Sequence, residues 1–450
     1  MIDLTALLAE GGCVGCRVAG RADATWLRWF RTEKHAEPQT RRRLATDLGV
    51  CPAHLRTLIA GEGPGGPLTD VLAGVVAAAA AVVAGSSPGT PGCHACVERH
   101  AAVDRELSSL LDLLTVAEVA TAFAAAGGLC QRHLRRALDV GSPASGLRVV
   151  VEVARARLEE ADDGTPLLTA LLGRDADARR RARLRAQRPL AVDVGQPLLT
   201  QVLEELEPLA CPVCRAREDA LAAYLDHLGA ELARTDIGRA VVEPPVLCPI
   251  HLEDLAAHER STAISTARAA RRVLLDGLAG LEGALGGLRD PGWRGWGAAL
   301  LAPPAGGGRL QPGRVGHRVR DAATRMLAAP PCPACRAVDR VEQRRQQRLA
   351  AVQDDPRVHA AVERAHGWCV AHVLSARGRG TAIPVVERTA ATRLAAVGWE
   401  LEEARRHEDV VWRHEPMGSE ALAWARAIVL LDGRAALGHD AVAMRSALRG

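Results

Sequence analysis

The twelve cysteines constrain this chain more than any other feature, because all of them fall into one repeated arrangement. Four Cys-x-x-Cys pairs (Cys13/Cys16, Cys93/Cys96, Cys211/Cys214, Cys332/Cys335) alternate with four Cys-x-x-His pairs (Cys51/His54, Cys130/His133, Cys248/His251, Cys369/His372). From each Cys-x-x-Cys to the next Cys-x-x-His there are 34 residues in the first set and 33 in the other three. Two ligands separated by two residues can reach one ion, and two such pairs complete a tetrahedron. Read serially, the pattern predicts four Cys3His metal sites, each closed by one module's own two pairs. Such a closed site keeps no position for substrate, which favours a structural role over a catalytic one.

The flanks repeat as well, which argues for duplication. An apolar residue precedes the third cysteine of each set (Val50, Leu129, Leu247, Trp368), and an aliphatic residue follows each histidine (Leu55, Leu134, Leu252, Val373). Gly49, Gly128 and Gly367 sit just before that apolar residue, while the third set has Pro244–Pro245 nearby.

The gap is long for a zinc ribbon and predicts a helical hairpin that leaves the first ligand pair and returns to the second. Leu221, Leu225, Leu228 and Leu232 share one helix face. Asp355–Pro356 reads as an N-cap and first turn, Val358, Ala361, Val362 and Ala365 as one stripe, and Gly367 as a C-cap. Both ligand pairs are expected at helix starts, where the macrodipole and free amides favour thiolate. A longer helix follows each module, at Val71–Ala84, Leu147–Ala161, Ala263–Leu285 and Val385–His407.

Composition agrees with an all-α fold. Apolar residues make up 48% of the chain but aromatics only 2%, so a core must be built from Ala, Leu and Val. Small aliphatics with many Arg and Glu suit packed helices rather than sheets. The expected architecture is an all-α tandem array of four helical modules. The division is a first module over 1–86, a second over 87–165, a third over 166–290, a Gly/Pro-rich linker over 291–318, a fourth module over 319–410 and C-terminal helices over 411–450. Within it, Gly286–Gly313, Gly61–Pro67 and Ser86–Gly92 read as loops. The basic runs Arg179–Arg188 and Arg41–Arg43 read as solvated helix faces.

The third module, CPVCRAREDALAAYL…VLCPIHLEDL, the fourth, CPACRAVDRV…DDPRVHAAVERAHGWCVAHV, and the tail EPMGSEALAWARAIVLLDG resemble an uncharacterised bacterial family of helical Cys-x-x-Cys/Cys-x-x-His proteins. The resemblance implies metal sites at the named cysteines and histidines and supplies no activity. The first two modules depart from it, with Val14 and His94 in place of the proline after the first cysteine.

The net charge of +4 does not by itself call for a nucleic-acid or membrane partner. The segment Met1–Gly12 has no signal-peptide pattern, and Val71–Ala84 is too short to span a bilayer. The expected compartment is the cytoplasm, where thiols stay reduced and paired cysteines point to metal or redox chemistry. The leading function is a non-enzymatic zinc scaffold that binds an unidentified protein and carries four zinc ions per chain. An iron–sulfur or thiol redox protein is the second reading. A nucleic-acid-binding zinc protein is the third, although the spacing is not that of a Cys2His2 finger and stacking aromatics are scarce. Haem attachment is disfavoured, because Arg17, Val97, Arg215 and Arg336 stand where Cys-x-x-Cys-His needs histidine. There is no Walker loop, Gly-x-Ser-x-Gly or dinucleotide fingerprint, and acidic pairs such as Glu204/Glu205 and Glu402/Glu403 read as exposed helix faces. Of the histidines outside the pattern, His94 lies inside a Cys-x-x-Cys and could compete as a ligand, while His227, His359 and His366 read as surface or packing residues.

Overall fold

A computed structural model of the chain describes residues 4–51, 54, 55, 57, 58, 67–86, 92–140, 144–161, 165–173, 198, 202, 211–235, 246–258, 260–286, 332–365, 367–408 and 411–432. The sequence readings at 61–66, 87–91, Arg179–Arg188, Glu204/Glu205, Pro244–Pro245, 287–318, His366 and 433–450 lie outside the described residues.

Every described element is helical, and no strand occurs among the described residues. In chain order the α-helices are α1 (Leu4–Ala9), α2 (Val14–Thr32), α3 (Pro38–Thr46), α4 (Pro67–Val83), α5 (His94–Leu113), α6 (Ala117–Ala125), α7 (Gln131–Val140), α8 (Ala144–Glu160) and α9 (Thr165–Leu172). They continue with α10 (Pro212–Thr235), α11 (Pro249–His258), α12 (Arg260–Gly286), α13 (Pro333–Val352), α14 (Pro356–Arg364), α15 (Val370–Gly378), α16 (Pro384–Arg406) and α17 (Ala423–Asp432).

One module pattern generates this order. Each Cys-x-x-Cys opens a long helix, namely α2, α5, α10 and α13, and the residue after its first cysteine is the first helical one. Pro212 and Pro333 suit that place, because a proline at the first helical position loses no needed donor and already has helical φ. The Cys-x-x-His pairs at 130, 248 and 369 each open a short helix, α7, α11 and α15. The long helices expected after the modules are found as α4, α8, α12 and α16. Asp355 caps α14 as expected, its carboxylate accepting from the Arg357 backbone N–H at 2.8 Å. Val358, Ala361, Val362 and Ala365 are buried along that helix. The C-cap itself is Ala365, and Gly367 follows two residues later with φ +87°.

The hairpins do not return to their starting points. The outgoing helices α2, α5 and α13 have 19, 20 and 20 residues, whereas the returning helices α3, α6 and α14 have 9 each. At 1.5 Å per residue the outgoing arm rises about 30 Å and the returning arm about 14 Å, so the second ligand pair falls short of the first.

The chain divides into two compact units, each assembled from separate stretches. Unit 1 takes 1–22, 99–184 and 224–336, and unit 2 takes 23–98, 185–223 and 337–450. In unit 1, α12 packs against α8, α9 and α11. Ion pairing and capping tie α8 to α12: Arg155 Nη1 lies 2.6 Å from Glu282 Oε2, and Arg271 Nη1 donates to the Ala161 carbonyl at 3.0 Å. Phe123, Leu107, Leu110, Leu111, Leu167 and Leu171 are fully buried in this unit.

Unit 2 is organised on α4, the alanine-rich segment, which packs against α16, α3 and α17. Its core joins Val75, Val76, Ala79 and Val83 of α4 to Val386, Leu394, Val397 and Leu401 of α16, with Phe30, Trp368 and Ile428. Arg377 closes the C-terminus of α4, donating to the carbonyls of Val82 at 2.9 Å and Val83 at 2.6 Å, where a cation also meets the negative end of the helix dipole. At the other end Asp70 accepts from Arg41 at 2.8 Å and pairs with Arg405 at 2.9 Å. No described helix is long and apolar enough to cross a membrane.

Candidate metal centres

All sixteen cysteines and histidines of the pattern converge into four clusters, each of three sulfurs and one imidazole whose donor atoms lie within 4.8 Å of one another. The serial pairing expected from the sequence is corrected. Cys13 and Cys16 meet Cys130 and His133, and Cys93 and Cys96 meet Cys51 and His54. Cys211 and Cys214 meet Cys369 and His372, and Cys332 and Cys335 meet Cys248 and His251. Within each half of the chain the two modules have exchanged their Cys-x-x-His pairs. In the first, second and fourth modules the short returning arm accounts for this, because the second pair stops short of its own first pair. Unit 1 contains the Cys13 and Cys248 centres, and unit 2 contains the Cys51 and Cys211 centres.

The donor geometry is alike in all four. One sulfur pair in each cluster lies in contact: Cys16–Cys130 at 3.7 Å, Cys51–Cys96 at 3.6 Å, Cys214–Cys369 at 3.8 Å and Cys248–Cys335 at 3.9 Å. Nδ1 is the nitrogen that faces the sulfurs, at 3.2 Å from Cys130 for His133, 3.2 Å from Cys51 for His54, 3.1 Å from Cys369 for His372 and 3.3 Å from Cys248 for His251. None of the twelve cysteines is in a disulfide.

Local structure explains the convergence. The second cysteine or the histidine follows one turn after the first ligand, on the same side of a helix start. Arg17, Arg215 and Arg336 donate their backbone N–H to the carbonyls of Cys13, Cys211 and Cys332 at 3.1–3.2 Å, so the helix begins at the ligand itself. The Cys13 centre also depends on two glycines. A Cβ on Gly15 would lie 2.4 Å from His133 Cγ, and one on Gly173, whose φ is +80°, would lie 2.7 Å from Cys16 Sγ.

Three thiols packed together cannot all ionise without a compensating cation. In the Cys13 centre, hydrogen bonding from Cys13 and Cys16 holds the Cys130 thiol well below its ordinary value. Burial pushes Cys13 up, and Cys16 rises to about 12 among the neighbouring thiols. The same division recurs elsewhere: hydrogen bonding from Cys93 pulls Cys51 down to about 3 while Cys93 rises, and hydrogen bonding from Cys248 pulls Cys332 down to about 3 while Cys248 rises. In each cluster one thiol is thus held low (Cys130, Cys51, Cys211 or Cys332) while at least one neighbour is pushed up. A divalent cation would allow all three to ionise.

The centres differ in burial and in what surrounds them. All four ligands of the Cys13 and Cys211 centres are buried, whereas the Cys51 and Cys248 centres are partly exposed. Two carboxylates that the sequence reading did not single out stand behind histidines. Asp23 Oδ1 lies 2.9 Å from His54 Nε2, and Glu342 Oε2 lies 3.7 Å from His372 Nε2. Burial pushes both histidines down, but bonds to Asp23 and Cys51 more than offset it for His54, which rises to about 9. Hydrogen bonds to Cys211 and Cys214, with the Glu342 charge nearby, take His372 up to about 11. In unit 1 the nearby charges are instead arginines. Burial lowers Arg157 and Arg135, and the cysteines of the Cys13 centre and Cys248 act on them in the opposite sense.

His94 is not a ligand: its Nδ1 lies 3.0 Å from Trp26 Nε1, which donates to it. His227 lies 3.0 Å from Glu231 on the surface of α10.

Comparison with protein-family models, with curated proteins and with solved structures finds no match.

Proposed function

We propose that this chain is a non-enzymatic zinc scaffold in which four structural Cys3His ions lock helical modules together and present them to a protein partner. The observation that carries this reading is the size of the donor sets. A tetrahedral zinc with Zn–S of about 2.3 Å and Zn–N of about 2.0–2.1 Å separates its sulfurs by about 3.8 Å and sulfur from nitrogen by about 3.6 Å. The sulfur pairs in contact here are 3.6–3.9 Å apart, and the Nδ1–sulfur contacts run from 3.1 to 3.5 Å. An iron–sulfur cluster distributes its protein ligands over several irons, which favours a wider ligand set than one whose donors lie within 4.8 Å of each other.

Four protein donors fill a tetrahedral ion and leave it no place for substrate, which supports a structural role. Twelve free thiols suit a reducing compartment such as the cytoplasm. The protein-partner part of the reading is supported by large apolar side chains left in solvent on unit 2, among them Trp399, Val411 and Met417 at 64%, 68% and 51% exposure. The resemblance of the third and fourth modules to bacterial helical proteins of this type belongs to the same reading.

Elemental analysis and an absorption spectrum of freshly purified protein test it. About four zinc per chain and a colourless solution are expected from four ligand quartets. Iron with visible absorption would replace zinc by the iron reading.

A further inference from the structure

The two carboxylates behind His54 and His372 occupy the same place in the repeat. Asp23 lies seven residues after Cys16 (23 − 16) and Glu342 lies seven after Cys335 (342 − 335). Seven residues are two helical turns, so each carboxylate lies on the same face of its helix as the second cysteine. In both modules the long helix therefore does meet its own Cys-x-x-His pair, through a carboxylate rather than through its cysteines. The equivalent places in the second and third modules hold Val103 and Leu221. Among the described residues no carboxylate is paired with His133 or His251.

We infer that Asp23 and Glu342 are positioning carboxylates for the metal-binding histidines of unit 2, and that they make the Cys51 and Cys211 centres the higher-affinity pair. The inference rests on the metal reading of the four clusters. In each case Nδ1 faces the sulfurs; Asp23 accepts from His54 Nε2 at 2.9 Å, and the Glu342 charge stands 3.7 Å from His372 Nε2, close enough to favour a proton there electrostatically, so both carboxylates favour the tautomer that leaves Nδ1 free for the ion. An acceptor on Nε2–H also raises the basicity of the coordinating nitrogen. Glu342 is itself fixed. It is 1% exposed, accepts from Ser375 Oγ at 2.5 Å and from Gln346 Nε2 at 3.3 Å, and is paired with Arg217. Asp23 is 27% exposed on its side chain, so its removal leaves little buried space behind.

The test uses the full chain loaded with zinc and a graded series of a competing chelator. The wild type is expected to give up two ions at a lower chelator concentration than the other two. Asp23→Ala moves one of the two retained ions into the weaker class, with a loss of affinity on the order of 10–100-fold. Asp23→Asn, which keeps an acceptor, recovers part of that loss, and Glu342→Gln shows the same direction at the second retained ion. Nitrogen-15 spectra of the zinc-loaded chain read the tautomer directly: the Nε2–H signal of His54 is protected from exchange in the wild type, loses that protection in Asp23→Ala and keeps part of it in Asp23→Asn. Four ions that leave together, or Asp23→Ala with unchanged retention and unchanged histidine spectra, would overturn the inference while leaving the metal reading intact. A chain that takes up no zinc at all removes the metal reading as well.

Discussion

Cys16 and Cys130 are 114 residues apart in sequence and 3.7 Å apart in space. Cys51, the partner that serial reading assigns to Cys16, is in another cluster with Cys93, Cys96 and His54. Each Cys3His cluster is therefore a clasp between two modules. In the first half the clasps join positions 13 to 133 and 51 to 96, one nested inside the other, and the second half repeats the nesting with 211 to 372 and 248 to 335. A clasp that joins distant stretches restricts the unfolded chain more than a local one, so an ion bound there would couple its binding to folding.

Metal removal should then unfold the protein rather than merely empty it. Structural zinc contributes roughly 10–16 kcal/mol per site in peptide systems, and the core here has few large side chains. Exhaustive chelation followed by far-ultraviolet circular dichroism should show loss of most of the helical signal, restored by zinc. Full helicity after chelation would contradict a structural role.

Glycines on α2 give a local test. Gly15→Ala places a methyl group 2.4 Å from His133 Cγ and should destabilise the chain by about 1–3 kcal/mol, with loss of the ion at the Cys13 centre. Gly20, on the same helix, has open space around its would-be Cβ, and Gly20→Ala should stabilise by about 0.4–1 kcal/mol. Urea unfolding of the zinc-loaded variants compares them. Equal effects at the two positions would argue that His133 does not lie against α2.

How much of this was legible in the sequence depends on the residue. The sixteen residues that cluster were, because four repetitions of the same two pairs leave no cysteine unassigned. The helical class was, because Ala, Leu and Arg at helical spacing suit little else, and Val71–Ala84 is a buried helix. The pairing was not. Any Cys-x-x-Cys can accept any Cys-x-x-His chemically, so ligand identity and spacing leave the partner open. The deciding quantity is the length of the helices between them, and Asp355–Pro356 marked the start of the 9-residue return arm without showing that the outgoing arm had 20. Asp23 and Glu342 were missed because each lies on a charged helix among many carboxylates. Their common offset of seven residues from a cysteine becomes meaningful only once the histidines are placed.

Zinc uptake should release protons. At pH 7 the metal-free Cys13 centre holds protons on Cys13 and Cys16, both raised, while Cys130 is held low and anionic. In the Cys211 centre Cys214 and Cys369 are raised, and His372, brought up to about 11, is also protonated. An ion bound to the ionised sulfurs and to neutral imidazole must displace these, about two at the first centre and about three at the second. Groups whose pKa is raised without metal hold their protons more firmly as pH falls, so zinc affinity should drop on acidification and rise towards pH 8. Calorimetric titration in buffers of different ionisation enthalpy measures the number. Uptake without proton release would mean that these thiols and His372 hold no protons before the ion binds.

The crossed pairing itself is tested most directly by counting zinc in two double variants of the full chain. Cys16→Ser with Cys130→Ser removes two ligands from one centre, and about three zinc should remain. Cys16→Ser with Cys51→Ser removes one ligand from each of two centres, and about two should remain. The reverse result, two zinc in the first variant and three in the second, would restore the serial pairing and contradict the architecture described here.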